Sequence, residues 1–100
     1  MNNQEFFFGK LGAKPELAYT KKSMPVCKLS VAVNADGEEK PIWKRVIVWG
    51  KQAELASVCL RTGSDVFVRG FRKVREYTTT DGLIKQVEEV NAQLIGFTNV

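Results

Sequence analysis

The stretch Ile42-Trp43-Lys44-Arg45-Val46-Ile47-Val48-Trp49 has the β-branched and aromatic density of a strand. Its two tryptophans stand six residues apart. Six is even, and side chains alternate faces along a strand, so both indoles point the same way with Arg45 between them. Lys44, Val46 and Val48 take the other face, where the valines can join a core. Two indoles and a guanidinium on one sheet face make a surface on which unpaired bases can stack while a cation meets phosphate. The opposing reading puts both indoles in a core, where most tryptophan surface ends up. Arg45 weighs against it, because an arginine on that same face is costly to bury without a partner.

On either side of this strand the chain punctuates itself. Gln4 to Leu11 reads as an aromatic-rich first strand, with Phe6 and Phe8 on one face and Phe7 on the other, and Gly12 to Tyr19 reads as a turn through Pro15. Val26 to Val33 alternates apolar and polar residues with Leu29, Val31 and Val33 inward, the pattern of a half-buried strand. Asn34 to Pro41 is a polar turn with an Asp-Gly signal, which makes a hairpin with the tryptophan strand. Gly50 breaks the strand pattern. Gln52 to Leu60 then carries Leu55, Val58 and Cys59 at helical spacing, with Gly63 placed to stop a helix. Asp65 to Tyr77 returns to strand, Thr78 to Gly82 turns, and Leu83 to Phe97 supplies a last strand, expected to be irregular near Glu88-Glu89. Three strands, a short helix and two strands predict an all-β fold: a five-stranded Greek-key OB-fold barrel with one helix between strands 3 and 4.

Composition narrows the function. One hundred residues without repeat or linker make one domain, spanning 1–100. No apolar stretch approaches the ~20 residues that cross a bilayer, and the start lacks the basic-then-apolar plan of a signal peptide. Cys27 and Cys59 stand alone, and two cysteines are too few for a disulfide framework, so reduced thiols in a cytoplasmic protein are expected. There is no histidine, no G-x-S-x-G, no phosphate-cradling glycine loop and no spaced ligand cluster, so neither an enzyme nor a metal or cofactor site is expected. The net charge of +4 is mild, and its distribution says more than the total. Arg69, Arg72, Lys73 and Arg75 crowd into seven residues, whereas Asp81, Glu88 and Glu89 outweigh Lys85 further on.

Alternation along that basic strand puts Phe71, Lys73, Arg75 and Tyr77 on one face, opposite Val66, Val68, Gly70, Arg72 and Val74. Two aromatics interleaved with two cations repeat the logic of the tryptophan strand. Four segments in order then resemble the bacterial single-stranded DNA-binding protein family over nearly the whole length. Gly9 to Thr20 (GKLGAKPELAYT) is similar to that family's G-x-L-G-x-D-P-E-x-R-Y-T, and Trp43 to Lys51 (WKRVIVWGK) to its W-H-R-V-x-x-F-G-K. Ala53 to Ala56 resembles its helix, and Leu60 to Gly70 (LRTGSDVFVRG) its K-G-S-x-V-Y-V-E-G strand.

The resemblance implies an OB-fold that coats single-stranded DNA without sequence preference in replication, recombination and repair, usually as a homotetramer, in the nucleoid-associated cytoplasm. By position, Trp43, Trp49 and Tyr77 match the family's stacking aromatics, and Arg45, Lys51, Lys73 and Arg75 its phosphate-contacting cations. Three features depart from the pattern. The stacking aromatic that often precedes the hairpin turn is missing, the histidine after the first Trp is Lys44, and the chain reaches Val100 without the acidic tail that recruits replication and repair proteins. A primosomal replication protein, a tail-less OB-fold adaptor in replication restart, is the nearest rival. A barrel that only contacts proteins would use the same aromatics as hot spots. The expected partners are single-stranded DNA and further copies of the chain, more as a tetramer than a dimer and partly through the first strand.

Overall fold

Period-two alternation is what the N-terminal strand displays. In the computed structural model, which describes residues 3–34 and 40–97, β1 (Gln4–Leu11) buries Phe7 and Leu11 and turns Phe6 and Phe8 outward. β2 (Glu16–Tyr19), β3 (Pro25–Val33), β4 (Ile42–Trp49), the helix α1 (Lys51–Cys59), β5 (Asp65–Thr78) and β6 (Ile84–Phe97) follow. The sheet runs β1-β5-β6-β4-β3-β2, and β1 returns to β3 through Lys10↔Ala32 and Leu11↔Val31. That return closes a barrel. All neighbours are antiparallel except β4 and β6, which meet in parallel at Val46↔Val90 and Ile47↔Asn91. A closed Greek-key barrel with its helix between the tryptophan strand and the basic strand is the OB-fold expected above.

The core is aliphatic. Leu11, Leu29, Val31, Val46, Val48 and Val68 fill the barrel, and each such side chain fully removed from water contributes ~1.5–3 kcal/mol. Cys27 joins them as a free thiol whose pKa burial pushes up, the charge of Glu16 adding to the effect.

Five features differ from the sequence reading. Glu16–Tyr19 is a sixth strand within the expected turn, paired to β3 from Glu16↔Lys28 to Tyr19↔Pro25. All four of its residues are exposed, so no apolar alternation marked it. In α1 the buried residues are Ala53 and Ala56, while Leu55 and Val58 face solvent. Small side chains let the helix backbone approach the barrel closely, and the larger ones point away. The helix ends at Cys59, and Gly63 (φ +89°) belongs to the following turn, where its N–H donates to the Leu11 carbonyl at 2.7 Å. The irregularity in β6 falls opposite Arg69/Gly70, whereas the ladder through Glu88 and Glu89 is regular. Gly70 is required there, since a Cβ would collide with the Asn91 carbonyl. Finally, Val74 is exposed rather than sharing the burial of Val66 and Val68, because beyond Arg72 β5 and β6 pair only with each other, as a two-stranded arm on which the β5 side chains are exposed on both faces. The arm closes on a Thr79–Leu83 turn that needs Gly82 at φ +83°. Most of the polar turn expected between β3 and β4 lies outside the described residues.

Candidate nucleic-acid interface

Strand register joins the two aromatic and basic patches. Bridge partners share a sheet face, and Phe71 pairs with Asn91, Asn91 with Ile47, and Ile47 with Lys28. These four residues form one lateral row across β5, β6, β4 and β3. Trp43, Arg45 and Trp49 on β4 therefore share one continuous outer face with Phe71, Lys73, Arg75 and Tyr77 on β5.

Each tryptophan is held differently. Trp43 is 59% exposed. It faces Ala32 on β3 and reaches Gly12, where an added methyl would collide with its benzo ring. Gly12 is fixed in turn by its N–H donating to the Ser30 carbonyl at 2.9 Å. One side of the indole thus rests on backbone while the rest stays open. Trp49, 45% exposed, donates its Nε1–H to Asn91 Oδ1 at 3.2 Å. Between them Ile47 is buried, although it lies on the same face. Phe71, where β5 still pairs with both β1 and β6, and Tyr77, on the arm opposite Lys85, are partly exposed. Lys51 is exposed in the first turn of α1, two residues beyond Trp49.

The cations divide by face. Lys44 and Arg72 lie on the other side of β4 and β5 and are neutralised internally: Lys44 Nζ is 3.0 Å from Glu5 and sits 5.7 Å from the Phe7 ring centroid, and Arg72 Nε is 3.5 Å from Glu88. Arg45 and Lys73 on the aromatic face, and Lys51 in α1, make no ion pair among the described residues. Arg75 is the exception. Its Nε and Nη2 donate to the two carboxylate oxygens of Glu89 at 3.2 and 3.1 Å. The hydrogen bonds from Arg75 hold the Glu89 carboxyl below its ordinary pKa against the opposing effect of burial, and the charges of Arg75, Arg45 and Lys28 add to the lowering.

β4 and β6 touch only near Val46 and Val90, and below that contact they diverge into a groove. One part, about 320 Å³, lies between Trp43, Arg45 and Ser30 on one wall and Val87 and Glu88 on the other. An adjoining part of about 240 Å³ is lined by Lys14, Glu16, Lys28, Arg45, Arg75 and Glu89. A larger concavity, about 630 Å³, lies elsewhere, against Phe8, Phe67 and Phe97, with the Lys10–Asp65 pair at its edge. It has aromatic walls and no unpaired cation among the described residues that line it.

The sequence matches the profile of the Single-strand binding protein family over residues 2–98. The chain belongs to that family. It is 32% identical over 104 aligned residues to a protein named single-stranded DNA-binding protein from Xanthomonas campestris, covering 94% of this chain and 60% of the relative. A protein of the same name from Xanthomonas axonopodis is 34% identical over 94% of this chain and 58% of its own length. The chain thus spans about three-fifths of the curated relatives it matches.

Within this member of the Single-strand binding protein family, sequence reasoning missed Gly12, Asn91, Lys14, Lys28 and Glu89. Gly12 stood inside a quoted motif, but nothing local says that a ring lies on it. Asn91, Lys28 and Glu89 follow the period-two rule on their own strands and would have been found had the pairing register been known. Among the described residues no helix is long and apolar enough to cross a membrane.

Proposed function

We propose that this chain binds single-stranded DNA without sequence preference and protects it during replication, recombination and repair. Bases stack on Trp43, Trp49, Phe71 and Tyr77, and phosphates meet Arg45, Lys51 and Lys73. The observation that carries this reading is the lateral row Phe71, Asn91, Ile47 and Lys28, which makes one face out of two patches. A face that alternates exposed rings with unpaired cations suits an unpaired strand, whose bases offer π-faces and whose backbone offers charge. Duplex DNA is a poor ligand for it, because its bases are already stacked. The names of the relatives point the same way.

Titration with poly(dT) tests the proposal through the fluorescence of Trp43 and Trp49. Quenching that saturates, and that duplex of equal length does not reproduce, supports it. Unchanged fluorescence with no binding by a second method leaves a protein-interaction module instead.

The same reading includes a homo-oligomer, tetramer rather than dimer, formed partly through β1. Phe6 and Phe8 are 58% and 66% exposed and cluster with Phe67, an apolar surface that a monomer rarely leaves open. A solution mass near the 11.2 kDa of one chain at micromolar concentration would overturn this part. The setting expected for such a protein is the nucleoid-associated cytoplasm.

A further inference from the structure

Adjacent residues on a strand face opposite ways, and Glu88 and Glu89 do so with different consequences. Glu88 joins Arg72 on the opposite sheet face and borders the part of the groove beside Trp43. Glu89 turns into the groove, where its side chain is only 11% exposed while that of Arg75 is 50% exposed. The guanidinium presents two parallel N–H donors to the carboxylate, the same fork it would present to a phosphate. Arg45 and Lys28 also bear on this carboxylate, and with Lys14 and Arg75 they set four cations against Glu16 and Glu89.

We propose that Glu89 is an internal competitor for phosphate: it occupies Arg75 in the position a phosphate would take, and a single strand entering beside Ser30 and Arg45 must displace it. This rests on the single-stranded DNA reading above. Arg75 then contributes to binding only by exchanging one oxyanion for another. The groove holds DNA less tightly than its four cations would, and releases it more readily. Glu89 is a positioning residue in this account, since it acts on DNA through Arg75.

The test measures binding of labelled oligo(dT) to the full chain over a range of salt, for wild type, Glu89→Gln and Glu16→Gln. Glu16 lines the same groove and pairs with no cation among the described residues. Its variant therefore removes the same formal charge without releasing an arginine. Glu89→Gln is expected to tighten binding several-fold at low salt and to steepen the log–log salt dependence by about 0.7, the value for one further phosphate neutralised on a single strand. Glu16→Gln is expected to give a smaller gain with the wild-type slope. Equal effects of the two variants, or a Glu89→Gln chain that binds no tighter than wild type, would overturn the proposal. Should Glu89→Gln fail to fold, the Arg75 Nε–H resonance of the wild-type chain decides. On adding oligo(dT) it should shift and exchange faster with water, whereas an unmoved signal overturns the displacement. A wild-type chain that does not bind oligo(dT) at all removes the functional reading itself, and this inference with it.

Discussion

Two regions of this barrel expose aromatic rings, and they differ in what surrounds the rings. On β1 and β5, Phe6, Phe8 and Phe67 pack on one another at centroid distances of 5.3 to 5.9 Å. On the β4–β6–β5 face, Trp43, Trp49, Phe71 and Tyr77 make no ring–ring contact among the described residues, and unpaired cations stand between them. Rings that satisfy one another suit burial against a second apolar surface. Rings held apart by glycine, asparagine and cations keep their faces for a planar ligand. Exposure alone does not tell these apart, and the spacing of charge does.

The largest expected effect comes from the ring that neither surface uses. Phe7 is buried between the two regions, and Phe7→Ala should cost ~3–5 kcal/mol of stability, read as a fall in Tm, with affinity per folded molecule unchanged. Trp43→Ala and Trp49→Ala should do the reverse. Each should lose ~1–3 kcal/mol of affinity for oligo(dT), about tenfold, with little change in Tm. A large stability loss with intact binding would move the tryptophans into the same class as Phe7 and erase the contrast.

Arg45→Ala and Lys73→Ala probe the charge that separates the regions. Each should flatten the log–log salt dependence of binding by about 0.7 without changing which sequences are bound. Lys44→Ala is the control on the opposite face, where Glu5 already neutralises the charge, and it should leave that slope alone.

The smallest effect concerns acid. Glu89 has its folded pKa below the ordinary 4.5. Its stabilising contribution is therefore present above that ordinary value and is lost as pH falls through the depressed one. Urea melts at descending pH should show Glu89→Gln losing less stability than wild type over that range. Identical acid limbs would mean the pair does nothing for the fold.

Much of the molecule was legible because side-chain alternation is a property of the local backbone. The ends of β1 and β4, the inward Leu29 and Val31, and the shared face of Trp43, Arg45 and Trp49 all follow from period two and turn chemistry. Helical spacing misled at Leu55 and Val58, because the rule that apolar residues face inward yields where a backbone packs close enough to admit only alanine. β2 was invisible because an exposed edge strand has no apolar side to reveal it. Pairing register depends on which distant strands meet, and no local pattern encodes that. The sequence by itself therefore determined five of the six strands, their faces and the aromatic and basic residue types that share them. Only the tertiary structure decided that the two patches are one face, that Gly12 and Asn91 hold the tryptophans, and that Arg75 is shared with Glu89. Each of these depends on residues brought together from separate strands.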